Sequence, residues 1–213
     1  PPRVEVRELT ARATAPHSAY EVVFAAALLW GLMGCAAAFA VSFVTERASG
    51  TLVRLSAAPV GRGAIVGGKA LACGIACTAD ALLLWGFSRV ALGVQVPSPL
   101  LFLAALLSTV ACFVGITMTL AGLGKTEQAV AGAGWSTLIV MAMLGGAMVP
   151  RYLLPAWLQS VGLVSPVHWG IRALEAASFR GLGAAELVVP CAVLLGTGLA
   201  GFAGGLVLLR RAG

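Results

Sequence analysis

The chain has 213 residues, of which 60% are hydrophobic and only 10% charged, and its mean hydropathy is +0.98. A soluble domain carries about 25% charge, so the composition excludes a soluble protein and points to an integral membrane protein. The net charge of +6 is scattered over loops and ends rather than gathered on one face, which fits membrane topology and anionic headgroups and argues against nucleic acid as a partner.

Residues 1–20 are mixed in charge and carry no apolar run, so they read as an aqueous tail that ends an extracytoplasmic region. Residues 21–213 follow as a transmembrane domain. About 20 apolar residues cross the hydrocarbon core as a helix, and five segments qualify: Val22–Val44, a second from Ala64 or Ala70 to Val94, Leu100–Leu123, Ala129–Val149 and Leu187–Leu209. Turn chemistry separates them, with Pro97-Ser98-Pro99 after the second and Gly122-Leu123-Gly124-Lys125 after the third. The expected fold is an all-α polytopic bundle of five spans with additional short helices outside it. Gly201 and Gly205 form one G-x-x-x-G in the last span, a spacing that lets helices approach closely within a chain or between two copies.

Between the first two spans, residues 45–69 form an island of charge: Glu46, Arg47, Arg54, Arg62 and Lys69. Such a segment belongs at a membrane surface, and its basic excess places it on the cytoplasmic side. Lys125 and the Arg210-Arg211 pair fall on the same side for five alternating spans, which puts the N-terminus outside and the C-terminus in the cytoplasm. An external N-terminus without a signal sequence predicts at least one further span before Pro1. Gly50 ends a helix or makes a tight turn, and Thr51 is suited to cap the next one. Leu52 and Leu55 share a face from which Arg54 is displaced, a pattern suited to a short amphipathic helix that presses into a partner, with Arg47 and Arg54 available to acidic groups.

Residues 150–185 are irregular. Pro150, Pro155 and Pro166 interrupt pieces too short to span, among Tyr152, Trp157, His168 and Trp169. Two short helices are expected, lying at the interface or dipping partly back into the bilayer, where irregular backbone must be buried or line a wet cavity.

Asp80 is the only aspartate and sits near the middle of the second span. A charged carboxylate there costs on the order of 3 kcal/mol, so it either lines a translocation path or lies neutral between helices, with Thr78 as a polar neighbour. Cys35, Cys73, Cys77, Cys112 and Cys191 all fall in apolar runs and read as buried thiols. Cys73 and Cys77 share a helix face, but no His or carboxylate stands at ligand spacing, so no metal site is expected. Gly124-Lys125-Thr126 lacks the upstream glycine of a phosphate loop, with Thr119 in its place, and it follows an apolar span rather than a strand. His17 and His168 stand in no catalytic arrangement, and no catalytic residue is identified.

Two of these regions together resemble the membrane-spanning subunit of an ABC-2-type exporter. Glu46-Arg47-x-x-Gly50-Thr51-Leu52-x-Arg54-Leu55, with Pro59 following and Lys69 opening the next span, is similar to the family's motif between its second and third spans. Met148-Val149-Pro150, then Leu154-Pro155-x-Trp157-Leu158 and Ser165-Pro166-x-x-Trp169, resembles the family's external helices before its last span. The resemblance runs from about Ser18 onward and makes these five spans the second to sixth of a six-span unit. At His17-Ser18-Ala19-Tyr20-Glu21 the chain departs from relatives, which often carry Pro-Gly there. The resemblance implies a permease subunit rather than an enzyme, with no cofactor of its own and with ATP and Mg on a partner ATPase. It implies that Glu46 to Pro59 is the coupling helix, that Pro150, Pro155, Trp157, Pro166 and Trp169 mark the external gate helices, and that two permeases pair as a homodimer or heterodimer in the cell membrane. A secondary transporter or channel that uses Asp80 as its ion site is the alternative, although it calls for more intramembrane charge and an inverted repeat.

Overall fold

The computed structural model describes residues 19–50, 62–94, 96–124, 126–149, 154–178 and 184–211. Among them there is no strand, and seven helices follow one another: α1 (Ala19–Ala48), α2 (Arg62–Ala91), α3 (Pro99–Leu123), α4 (Glu127–Gly145), α5 (Ala156–Gly162), α6 (Pro166–Ser178) and α7 (Ala184–Arg211). Helices α1, α2, α3, α4 and α7 are long and apolar enough to cross a membrane. The chain is an all-α polytopic bundle, as its composition predicts.

Local chemistry sets the helix ends. Ser98 caps α3 by accepting from the Leu101 N–H, with Pro99 in the first turn, where a missing donor costs nothing. Thr126 caps α4 in the same way through the Ala129 N–H at 3.2 Å, and Glu127 complements the positive end of that helix. Gly93 and Gly146 have φ of +68° and +93°, a left-handed conformation open to glycine at little cost. The N–H groups of Gly146 and Ala147 both return to the Ala142 carbonyl. That closure stops α4 at Gly145, four residues short of the Val149 expected from hydropathy.

The larger departure is at the charged island. α1 and α2 are 30 residues each, about 45 Å long by helical rise, against a hydrocarbon core of about 30 Å. Glu46 and Arg47 therefore belong to α1, and Arg62 and Lys69 to α2, rather than to a loop. Lys69 lies two turns inside its helix and does not open it.

Interhelical contacts fix the directions. α1 and α2 are antiparallel, with Glu46 against Lys69 at one end and Gly31 against Asp80 further along. α1 and α3 are parallel: the Thr117 hydroxyl donates to the Ala36 carbonyl at 3.3 Å, and Arg47 donates to the Gly124 carbonyl. α1 and α4 are antiparallel, since Trp30 donates to the Ala147 carbonyl at 3.3 Å while Val44 clusters with Val130 at the other end. α3 touches every other spanning helix and is the most buried of the five.

The closest approach joins α3 to α7, which run parallel. A Cβ placed on Gly115 would come 2.1 Å from the Gly198 carbonyl oxygen, and one on Gly198 would come 2.6 Å from that of Ala111. Further along, a Cβ on Gly205 would meet the Met118 carbonyl carbon at 2.5 Å. The Thr119 hydroxyl donates across the same seam to the Gly201 carbonyl at 2.8 Å. In lipid, hydrophobic burial supplies no force between helices, so such backbone contact and hydrogen bonding must hold them.

The seam predicts a contrast within one helix. Gly198→Leu should destabilise the purified protein by about 1–3 kcal/mol, the range for overpacking, whereas Gly196→Leu and Gly204→Leu, whose added carbons meet nothing within 4 Å, should leave thermal unfolding in detergent nearly unchanged. Equal effects at the three positions would refute the packing described.

Candidate functional site: the basic end of the bundle and a mid-span carboxylate

At the basic end, α1 is tied to both neighbours by consecutive residues. The Glu46 carboxylate forms a salt bridge with Lys69 of α2, and the Lys69 ammonium also stands 5.2 Å from the centre of the Phe43 ring, within cation–π range. Arg47 reaches the other way and donates through Nη2 to the Gly124 carbonyl at the end of α3. Its Nη1 is buried with no hydrogen-bond partner, an uncommon condition for a charged donor. Gly50, at φ +73°, turns the chain away just past α1, as the sequence predicts.

Of the residues singled out in the charged island, Glu46, Arg47 and Gly50 are thus placed, and they bring in Lys69 and Gly124. Thr51, Leu52, Arg54, Leu55 and Pro59 lie outside the described residues. The Gly124–Thr126 stretch serves as the break between two helices, with Gly124 ending α3 and Thr126 starting α4.

Asp80 stands in mid-span, half-buried, on the edge of α2 that faces α1. Its Oδ2 is sealed from solvent without a hydrogen-bond partner. The room it occupies exists because residue 31 is glycine: a Cβ there would fall 2.6 Å from Oδ2 and 2.8 Å from Leu84 Cδ1. Thr78 does not join it. The Thr78 hydroxyl donates to the Gly74 carbonyl of its own helix at 2.7 Å. From Asp80 towards the basic end, the Cys73 and Cys77 sulfurs are 4.0 Å apart and Cys73 lies 4.0 Å from the Thr117 hydroxyl. Among the described residues no group of three His, Cys, Asp or Glu side chains is placed to hold a metal ion.

At the opposite end, α5 and α6 fold back onto the bundle. Trp157 on α5 is exposed, whereas α6 touches α1, α3, α4 and α7. Its Gly170 presses on Leu29 and Thr109, and Val167 lies on Gly145. Ser165, just before α6, donates to the Met141 carbonyl at 2.7 Å, and Trp169 donates to the Leu163 carbonyl at 2.8 Å. α6 is thus packed among four spanning helices. Pro155 and Pro166 open α5 and α6, while Pro150 lies outside the described residues.

Sequence reasoning missed Gly31, the bond from Arg47 to the Gly124 carbonyl and the pairing of Glu46 with Lys69. The pair joins opposite charges on consecutive antiparallel helices, Glu46 two residues before the end of α1 and Lys69 seven residues after the start of α2. Nothing in the order of residues marks Gly31 among so many glycines.

A family model described as ABC-2 type transporter matches residues 11–179, a range that takes in α1 to α6 and both motif regions. No curated protein matches the chain.

The ion pair is partly exposed, so its expected worth is modest. A double-mutant cycle with Glu46→Gln and Lys69→Gln, read by thermal unfolding, should give a coupling of about 0.5–1 kcal/mol at low salt that shrinks at high salt. A coupling of zero at low salt would remove the pair from the account.

Proposed function

The chain belongs to the ABC-2 type transporter family, and from that premise we propose that it is the path-forming subunit of an ATP-driven exporter, moved by a separate cassette protein that docks on residues 45–69. The coarser part is plain: it is a multi-pass ABC-type permease of the cell membrane, from a family of transport subunits that normally works with an ATP-binding subunit. ATP and Mg belong to that partner. Two permeases pair, and the basic end faces the cytoplasm, with the N-terminus outside and the C-terminus inside.

The observation that carries the reading is the way the ends of the connecting segment are anchored. Its α1 end grips α3 through Arg47 and α2 through Glu46, and its α2 end receives that second grip at Lys69. A push on Thr51, Leu52, Arg54, Leu55 and Pro59 would therefore reach three spans through ion pairs and hydrogen bonds rather than through slack chain. The unpartnered Nη1 of Arg47 leaves that grip incompletely satisfied, which suits a contact that must shift between two states. On the other side, Pro150, Pro155, Trp157, Pro166 and Trp169 belong to a gate formed by α5 and α6. Asp80 faces the path, and Thr78, bonded to its own helix, contributes shape rather than a free hydroxyl.

Replacing both Leu52 and Leu55 with Asp should abolish co-purification of the partner cassette and reduce ATP-driven export in vesicles to background. In the same system, a cysteine substituted for Arg54 should react with impermeant reagents only from the cytoplasmic side. Survival of both co-purification and export, or labelling of that cysteine from outside, would overturn the docking assignment.

A further inference from the structure

Helix α2 carries a charge that the described chain leaves uncompensated. Asp80 is the sole aspartate, and the nearest basic residues on its own helix are Lys69 and Arg89, about 16 and 13 Å away along the axis. The first of these is engaged by Glu46. Helix α3, which packs on the other side, has no charged residue at all. Across from Asp80, α1 presents Gly31 and then Cys35. The carboxylate thus has one oxygen sealed in a glycine notch without a partner and keeps an open edge, being only half-buried.

What lies along that open edge is apolar. Leu83 and Phe87 stand three and seven residues beyond Asp80, on the same side of the helix, and both are largely exposed, at 74% and 65%. Gly34, one turn from Gly31 on α1, has nothing within 4 Å of where a Cβ would be. The seam between α1 and α2 therefore offers one negative charge at the open edge of a glycine notch, bordered by a leucine, an aromatic ring and open glycine surface.

An ionised carboxylate at this depth needs a counter-charge. A proton neutralises it but, like a hydrated inorganic cation, gains nothing from Leu83 and Phe87. An organic cation with an apolar body answers all three features: its charge meets Asp80, its carbon surface lies on Leu83, and Phe87 offers a ring face to the positive group. We propose that Asp80, in the notch made by Gly31, receives the positively charged group of the cargo, and that this permease selects amphipathic organic cations. The proposal rests on the permease reading above and deepens it by naming the substrate class.

Binding of radiolabelled tetraphenylphosphonium to the purified full chain in lipid nanodiscs tests it, with uncharged triphenylphosphine oxide as competitor. Saturable binding is expected, weakened at least tenfold by Asp80→Asn, largely kept by Asp80→Glu, and little displaced by the neutral compound. Gly31→Ala, which fills the notch and keeps the charge, should weaken binding as well, and each variant should elute as the parent does on size exclusion. The proposal is overturned by absence of saturable binding to the parent, by equal binding to Asp80→Asn and Gly31→Ala, or by equal displacement with the neutral compound. No cassette takes part in this measurement, so its failure is distinct from failure of the docking assignment.

Discussion

Backbone meets backbone where α3 crosses α7, and the rest of the bundle is arranged around that contact. Gly115 lies against Gly198 and Gly201, with Gly205 against Met118, and no side chain separates the two helices there. Lipid offers no hydrophobic penalty for pulling such helices apart, so proximity must be secured by dispersion and by bonds such as Thr119 to the Gly201 carbonyl. Because α3 and α7 run parallel, the chain between α4 and α7 must begin and end at the same end of the bundle. Helices α5 and α6 fill that return. The burial of α6 against four spans follows from the parallel seam as much as from its own sequence, since a return path beside two touching helices leaves it a groove to occupy.

The α1–α2 hairpin is held by a different kind of interaction. Helix α2 is among the least buried of the spans, and its polar ties to α1 cluster at the basic end, where Glu46 meets Lys69. Beyond that end the interface includes the buried thiols and the Gly31 notch against Asp80 and Leu84. One part of the bundle is therefore fixed by close backbone packing, and the other is a hairpin hinged near charged residues. An element meant to transmit movement is better placed on the second part than on the first, because close-packed seams shift only between discrete arrangements.

Much of this was legible in order and composition alone. Five apolar runs marked the spans, Pro97-Ser98-Pro99 marked the start of α3, and Gly50 marked the end of α1, each for a local reason that tertiary structure leaves intact. Helix limits failed where long-range pairing intervened. Lys69 looked like a residue at the mouth of a span because lysine avoids hydrocarbon, yet its pairing with Glu46 and its position over Phe43 let both helices run past the core. α4 was read too long because Gly146 is one glycine among 27, and only its left-handed backbone reveals a cap. The depth of α6 was hidden by its composition: it carries His168, Arg172 and Glu175, whereas one side of that helix is packed deep among the spans.

Gly31 and Asp80 show why a site of this sort escapes sequence reading although each residue is visible. The carboxylate announces itself by its cost in a membrane, but its surroundings are set by a helix nearly fifty positions earlier, through an atom that is absent. Alanine at position 31 would push a methyl group into Oδ2 and Leu84, so the notch depends on register between α1 and α2 to within a single residue. Glu46 and Lys69 pair in the same register at the basic end of these two helices. A disturbance of the pair that slid α2 along α1 would carry Asp80 out of its recess, a displacement of about 1.5 Å for each residue of slip. The geometry thereby joins the place where a partner would press and the place where a cation would sit through one helix pair, with no intermediary between them.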